Sequence, residues 1–570
     1  MARRSKVDLN FGFWAGVVIA LVFATPILAV AWLAFNPVDN IWPHLAATVL
    51  PRQVRNTSLL MAGNAAGCAV IGMGTAWLVT MCRFPGRRFF EWGLLLPMAM
   101  PAYVIAFVYT DLLEYAGPVQ GALRQVFGWQ SARDYWFPEI RSMGGAWLAM
   151  SLVLYTYVYM MVRAALLEQS VSALEVSRTL GRGPWLSFAT VALPLLRPAL
   201  VIGVVLVLME TLNDFGTVDF FAINTLTMGV FNVWLNMGNA GGAAQISLVM
   251  LIAVAGLIGL ERWARRGRRY VQGGGRAKAL PGTLLTGPAK WLAVTACGLP
   301  IAFGFVLPAL VLARYAATRI GDILDGDYYQ FVFNSLTLSG TAAVAAVAIA
   351  MILAYGARLQ KTAQTWPGRI MTYATRLASV GYAVPGAVLA LGVLIPFAAF
   401  DNAVDAFFRD RFGVSTGLIL SGTIVAVIFA YVVRFLAVAY GGIEAALGRI
   451  SPSMDMAARS LGAAPARTLL TVHLPMIRTS MLAAGVLVFV DGMKELPATL
   501  LLRPFGFETL ATHVYQFASA ELLAEASLSA LTIAAAGVLP VFFLSRAISA
   551  GRAQAQPRAR PGGPAAALPA

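Results

Sequence analysis

Four stretches of this 570-residue chain, 14–35, 291–313, 336–355 and 377–400, contain no acidic or basic side chain. Each is near or above the roughly 20 residues that a helix rising 1.5 Å per residue needs to cross the hydrocarbon core of a bilayer. In that solvent every backbone N–H and C=O must be satisfied internally, which makes the helix the economical spanning element. The composition agrees: 59% of the residues are hydrophobic and 12% charged, whereas a soluble domain is about one quarter charged. The expected fold is therefore an all-α polytopic membrane protein. About twelve spans are expected, near 14–35, 58–80, 91–110, 144–163, 198–213, 244–260, 291–313, 333–356, 376–400, 416–440, 479–494 and 526–545.

The formal net charge of +16 would point to nucleic acid on a soluble domain. Here its distribution gives a different account. With loops assigned to alternate sides, one side collects Arg3, Arg4, Lys6, Arg83, Arg87, Arg88, the 262–269 cluster, Arg276, Lys278, Lys290 and the basic tail. The other side keeps few basic residues, among them Arg52, Arg55, Arg409 and Arg411. Positive charge concentrates on the cytoplasmic side of membrane proteins, so both termini are expected in the cytoplasm and no nucleic-acid partner is expected. The apolar run after Lys6 is too long for a secretory signal core and lacks a small-residue cleavage pattern, so it reads as a retained first helix. Cys68, Cys82 and Cys297 stand singly in or beside apolar spans, with no CxxC and only three histidines. They are expected to be small buried hydrophobes, with no disulfide and no metal site.

The chain repeats itself at an offset of about 280 residues. Asn56-Thr57-Ser58-Leu59 returns as Asn334-Ser335-Leu336-Thr337, Met100-Pro101-Ala102 as Val384-Pro385-Gly386, and Leu180-Gly181 as Leu461-Gly462. Residues 1–260 and 291–550 are therefore two homologous six-helix halves. Residues 261–290, basic and rich in Gly and Pro, read as a cytoplasmic linker, and 551–570 as a disordered tail. Six helices separate equivalent points, so the halves run parallel, related by a pseudo-two-fold axis along the membrane normal with a pathway between them.

Two loops facing the cytoplasm, about 164–197 and 441–478, carry a second repeated pattern. LEVSRTLGRGPWLSFATVALPLLRPAL (174–200) and DMAARSLGAAPARTLLTVHLPMIRTSM (455–481) each place a Leu-Gly pair thirteen residues before the Pro of a Leu-Pro pair, Pro194 or Pro475. Two short helices joined at a glycine are the expected shape. Gly can end a helix in the left-handed conformation without a Cβ penalty, and Pro is accepted in a first helical turn.

These loops resemble the Glu-Ala-Ala loop of permease subunits of ATP-binding-cassette importers, which seats a short coupling helix in a groove on a cytoplasmic ATPase. Glu175 and Gly181 match that pattern in the first half, and Ala457, Ala458 and Gly462 in the second. Val176 and Ser177 replace the two alanines of the first loop. Met456 replaces the Glu of the second, with Asp455 one place early. A further stretch, VFVDGMKELPATLLLRPFGFETLATHVY (488–515), resembles ferric-iron importer permeases that fuse two permease domains in one chain, its most specific part being Lys494–Thr499 written as KELPAT.

The resemblance implies a non-enzymatic transport subunit in a bacterial inner membrane. It implies two copies of a cytoplasmic ATP-binding subunit and a periplasmic substrate-binding protein as partners, with lipid around the helices. ATP and Mg belong to the partner; no cofactor is expected in this chain, and no GxxxxGK[ST] phosphate loop or catalytic cluster occurs in the sequence. Ferric iron is the expected substrate, with thiamine, phosphonate or polyamine as alternatives within the class. An ion-coupled secondary transporter is the rival from another class; it would not require paired coupling loops.

Four acids complete the candidate sites. Glu210 and Asp214 follow Pro194 by sixteen and twenty residues, and Asp491 and Glu495 follow Pro475 by the same intervals. Each pair at i, i+4 is expected on one helical face. Charge within a bilayer is costly and faces a partner or a wet cavity. Two readings stay open: an acidic vestibule on a translocation path, or acids that tie down helix ends through loop backbone, Lys494 or Arg503.

Overall fold

The computed structural model describes residues 11–168, 186, 188–265, 283–324, 326–360 and 366–553. It is helical almost throughout; among these residues the sole sheet is one short parallel pairing of Cys82–Arg83 with Thr283–Leu284. Twelve helices correspond to the expected spans. In the first half they are α1 (Phe11–Phe35), α2 (Leu50–Met81), α3 (Ala102–Leu113), α4 (Met143–Glu168), α5 (Leu193–Asn213) and α6 (Ala240–Arg265). In the second they are α7 (Leu307–Leu324), preceded without a break by Pro288–Ile301 and a π turn at Ala302–Val306, then α8 (Tyr328–Gln360), α9 (Gly386–Phe412), α10 (Ile424–Gly448), α11 (Leu474–Met493) and α12 (Leu523–Ala553).

Ten helices among the described residues are long and apolar enough to cross a membrane, or eleven with one bent pair, and Leu523–Val538 within α12 is a shorter apolar stretch. Two expected spans are corrected. The span at 91–110 is not one rod: Arg87–Ala99 and Ala102–Phe127 meet at 88°. The span at 376–400 breaks in the same place of the repeat, between a 3-10 turn at Ser379–Ala383 and the start of α9 at Gly386. Pro101 and Pro385 cause both breaks. Each lacks the N–H that would continue a helix and pushes the residue before it out of the helical region; Met100 and Val384 are accordingly extended, with ψ 125° in both.

Other landmarks of the repeat coincide in three dimensions. Asn56 donates from Nδ2 to Asn224 O at 3.1 Å, and Asn334 donates to Glu508 O at 2.8 Å. Thr57 Oγ1 accepts from Leu226 N at 3.0 Å and Ser335 Oγ from Leu510 N at 2.7 Å. Each pair ties α2 or α8 to a short helix that Thr225 or Thr509 caps. A π turn precedes both α5 and α11, at Phe188–Ala192 and Leu469–His473.

Packing between spans relies on small residues, as expected where lipid supplies no hydrophobic drive between helices. A Cβ at Gly72 of α2 would lie 2.7 Å from Tyr155 O of α4. In the second half alanines serve: Ala342, Ala343, Ala346 and Ala350 of α8 are all buried. All three cysteines are buried, as the sequence implied, and each is a free thiol.

The first helix of each half lies against the other half. Phe23 of α1 meets Phe429 of α10 edge-on at 5.8 Å, and a Cβ at Gly392 of α9 would lie 2.3 Å from Pro26 O. Reciprocally, Tyr109 of α3 donates to Phe303 O at 2.8 Å, and a Cβ at Gly304 would lie 2.5 Å from Leu152 O of α4. α1 also keeps contact with its own half, where Gln245 of α6 donates to Ala34 O at 3.5 Å. Each five-helix core is thus flanked by the opposite half's leading helix.

Candidate translocation cavity and coupling segments

The four acids sit at equivalent points. Asp214 caps α5, its N–H still bonded to Glu210 O at 3.0 Å, so that pair keeps the i, i+4 relation; α11 ends at Met493 and Glu495 N bonds Gly492 O, so Glu495 has left the helix that carries Asp491. This corrects the i, i+4 expectation for Asp491 and Glu495 alone, and the segment after each helix shows what the terminal acids do. Asp214 accepts from Thr217 N, Thr217 Oγ1 and Val218 N at 3.0, 3.0 and 3.3 Å. Glu495 accepts from Ala498 N, Thr499 N and Thr499 Oγ1 at 3.1, 3.1 and 2.9 Å. Both carboxylates therefore satisfy the first free N–H groups of a short following helix, Gly216–Phe220 or Pro497–Leu502.

Asp491 pairs with Lys494 at 2.9 Å, and Glu210 accepts from the Tyr382 hydroxyl at 3.1 Å. Arg503, named in the sequence as a partner for these acids, binds Glu508 instead. The acids do tie down chain ends. They also face a common space: all four line a cavity of about 110 Å³ between the halves, together with Asn213, Tyr103, Tyr157, Tyr382, Arg434 and Lys494. The acids thus tie down chain ends and line a cavity at the same time.

Two of these lining residues, Arg434 and Asn213, bond to each other across the halves. Arg434 of α10 donates from Nη1 to Asn213 Oδ1 at 2.7 Å, and its guanidinium stands 4.0 Å from Glu495 Oε1. Asn213 Oδ1 also accepts from Gly386 N at 2.6 Å. Arg434 and Glu495 are 4% and 5% exposed; at that burial a charge persists only when paired and hydrogen-bonded. Gly386 is needed as glycine, since a Cβ there would lie 2.7 Å from Glu495 Oε1 and 3.1 Å from Arg434 Nη1. Asn213, Arg434, Tyr103 and Tyr382 were not picked out from the sequence. Arg434 left a signal, being a lone basic residue in the apolar run 416–440; the two tyrosines left none.

The second candidate coupling segment has the expected shape. Helix Pro452–Ser460 ends at a turn where Gly462 has φ +77°, then Pro465–Thr468 and the π turn lead into α11, with Pro475 in its first turn. Asp455 holds this segment to the body. It binds Arg358 of α8 at 2.7 Å and His473 Nε2 at 2.7 Å, and Tyr355 donates to Pro465 O at 2.7 Å. The acid one place early thus makes an anchoring bridge. No residue of Pro452–Ser460 is buried, Ala457 and Ala458 included, and Met456 and Leu461 are 62% and 86% exposed. Glu175 and Gly181 of the first coupling loop lie outside the described residues; Pro194 stands in the first turn of α5 as Pro475 does in α11. Most of the linker and residues 554–570 of the tail are also outside them.

Comparison with known proteins bears directly on this architecture. Residues 68–269 match the family described as binding-protein-dependent transport system inner membrane component. An Fe(3+)-transport system permease protein of Haemophilus influenzae is 28% identical over 503 residues, 86% of this chain and 89% of that protein. A protein named as a 2-aminoethylphosphonate transport system permease of Salmonella paratyphi A is 30% identical over 213 residues, 37% of this chain and 72% of its own length. The molybdenum transport system permease protein of Escherichia coli K12 is 26% identical over 231 residues, 39% of this chain and 94% of its own. Relatives of half this length match one half, and longer ones match both. The chain belongs to the binding-protein-dependent inner-membrane permeases, as a fused two-domain permease subunit of an ATP-binding-cassette importer that works with a substrate-binding protein and an ATPase.

Proposed function

We propose that this permease carries ferric iron into the cell, taking it from a periplasmic binding protein and passing it between its two halves. The observation that carries the substrate reading is the extent of the likeness to the ferric permease. It runs through both halves over 86% of this chain, whereas the molybdenum and phosphonate relatives align over 39% and 37%.

In this reading both termini and the linker are cytoplasmic, following the basic residues. Two copies of the ATPase dock, one on each coupling loop. The exposed apolar side chains of Pro452–Ser460 and Leu461 support such a seat, since solvent-facing apolar patches of this kind mark docking surfaces. Closure of the ATPase pair moves the coupling segments. In the second half the motion passes through the Asp455–Arg358 bridge to α8 and along α11 to the cavity. The pathway then opens alternately to each side as a two-state rearrangement. Glu210, Asp214, Asp491 and Glu495 line that path.

The test is uptake in a strain deleted for this chain. Uptake of ⁵⁵Fe delivered by the binding protein should be lost while thiamine, phosphonate and molybdate uptake continue. Unchanged iron uptake with loss of one of the others overturns the substrate and leaves the importer class in place.

A further inference from the structure

Just past the end of α2 the chain forms an open hollow of about 510 Å³, lined by Arg83, Phe84, Gly86, Arg87, Arg88 and Glu91. Phe84 is buried against Phe90, with ring centroids 5.9 Å apart. The volume falls within the range of about 300–1,000 Å³ usual for small-molecule sites. Three of the lining side chains are guanidiniums, which can only donate.

The one acid on this wall is already neutralised. Glu91 pairs through Oε1 with Arg87 Nε and through Oε2 with Arg163 Nη2, both at 3.2 Å. Arg87 also donates from Nε to Val79 O at 2.7 Å, so it is fixed to its own turn. Arg83 and Arg88 are exposed, and neither side chain makes a hydrogen bond or an ion pair among the described residues. Being long and untethered, both can swing their charge over the hollow.

The internal repeat sets this pair apart from the turn that carries it. Phe84-Pro85-Gly86-Arg87 returns in the second half as Trp366-Pro367-Gly368-Arg369, but Thr365 and Ile370 stand in the places of Arg83 and Arg88. The turn is common to both halves, whereas the pair of free arginines belongs to the first.

The surroundings of the pair have the character of a membrane surface. Helix Arg87–Gly93 packs beside Pro288–Ile301, where a Cβ at Gly93 would lie 3.1 Å from Ile301 Cδ1, and Leu285 N donates to Arg83 O at 3.1 Å. Exposed Phe89 and Trp92 meet edge-on at 5.2 Å on the first helix. Exposed Trp291 opens the second, with Lys290 5.5 Å from its ring, and Leu292 and Leu299 carry the exposed apolar surface along it. Tryptophan beside basic residues at the end of an apolar span is typical of the headgroup layer. A free anion would use the arginines and leave this apolar rim idle. A zwitterionic headgroup would bring its own cation against two unpaired guanidiniums. An anionic phospholipid uses both features, its phosphate accepting charge-assisted hydrogen bonds from arginine. Basic pockets between membrane helices suit such headgroups.

We propose that this hollow is a binding site for an anionic phospholipid, its phosphate held by Arg83 and Arg88 and its acyl chains laid over the exposed apolar side chains of Arg87–Gly93 and Pro288–Ile301. The site does not depend on which substrate the importer carries.

Native mass spectrometry of the purified full chain tests this. The delipidated protein is given phosphatidylglycerol and phosphatidylcholine of identical acyl chains in equal amounts, and the retained lipid is counted. Phosphatidylglycerol should be retained at least about tenfold over phosphatidylcholine, and Arg83→Gln with Arg88→Gln should remove most of that preference, at roughly fivefold per arginine. Arg52→Gln with Arg55→Gln, which also removes two exposed charges, should leave it unchanged. Without lipid the Arg83/Arg88 double variant should melt as the wild type does, and added phosphatidylglycerol should raise the melting temperature of the wild type alone. Equal retention of the two lipids, a preference that survives in the double variant, or an equal loss in the Arg52/Arg55 variant each overturns the proposal. So does displacement of the lipid by excess inorganic phosphate, which would assign the arginines to a free anion. Loss of the preference when the ATPase is assembled on the permease would show that the arginines face that partner, and overturns it too.

Discussion

Arg434 in α10 of the second half donates a 2.7 Å hydrogen bond to Asn213 at the end of α5 in the first half, and the same oxygen of Asn213 accepts from Gly386 N at 2.6 Å. One amide oxygen therefore joins three helices across the boundary between the halves. Asn213→Ala should leave a buried guanidinium short of an acceptor and lower stability by roughly 1–3 kcal/mol. Thermal unfolding in detergent measures this, and Arg434→Met combined with it should cost less than the two single changes added together. Strict additivity would show that the contact contributes nothing.

Gly386 packs against Glu495 and Arg434 of its own half and donates across to Asn213 of the other. Gly386→Ala places a methyl group 2.7 Å from Glu495 Oε1. Overpacking of this kind costs about 1–3 kcal/mol. Transport should fall with little change in the amount of protein inserted. Ala102, at the equivalent position, already carries that methyl group, and Ala102→Gly should be mild by comparison in the same uptake assay.

Glu495→Gln separates charge from shape. The carboxylate serves three donors with two oxygens; the amide keeps one oxygen and turns an NH₂ toward a donor. A stability loss of about 1–3 kcal/mol is expected, together with reduced iron uptake and unchanged recovery of the ATPase. A variant with wild-type melting and wild-type uptake would mean that the capping bonds do not hold Pro497–Leu502 in place.

The coupling segment offers two contrasting changes. Gly462 has φ +77° and no neighbour within 4 Å of an added Cβ, so Gly462→Val is penalised by conformation alone, at about 1–2 kcal/mol. Gly462→Asn should be milder, because Asn tolerates that conformation. Asp455→Asn instead removes charge from the contacts with Arg358 and His473. Both Gly462→Val and Asp455→Asn should reduce co-purification of the ATPase and ATP-driven uptake without preventing membrane insertion, measured by pull-down from membranes.

Orientation can be read by labelling single cysteines with an impermeant thiol reagent in intact cells. Positions in the linker 265–290 should be protected and positions facing the periplasm labelled. Asp401 is unsuitable for the second group, being fully buried with Leu420 N, Ser421 N and the Ser421 hydroxyl as its donors. Phe412 and Val414, 63% and 58% exposed, serve instead. The buried native cysteines should contribute little background. Labelling of the linker with protection at 412–414 would reverse the topology.

The amino-acid order by itself determined the solvent, the element type and the duplication. Charge-free runs of bilayer length leave helices as the one economical choice, and motifs recurring at a constant offset require two like halves; both are local or periodic properties that survive without knowledge of packing. It also placed the four acids at equivalent points, and the Gly462 turn at the end of a helix. Tertiary structure decided the rest. Pro101 and Pro385 could be seen, but whether each bends a span or ends it depends on what receives the freed backbone. The exchange of leading helices between halves rests on the close approach of Gly392 to Pro26 and Gly304 to Leu152, contacts between segments far apart in the chain. The cavity was illegible for the same reason. Asn213, Tyr103, Tyr382 and Arg434 come from four separate helical segments, and a hydrogen bond between residues so distant in the chain leaves no spacing to read. Only folding brings a donor on one half within 2.7 Å of an acceptor on the other.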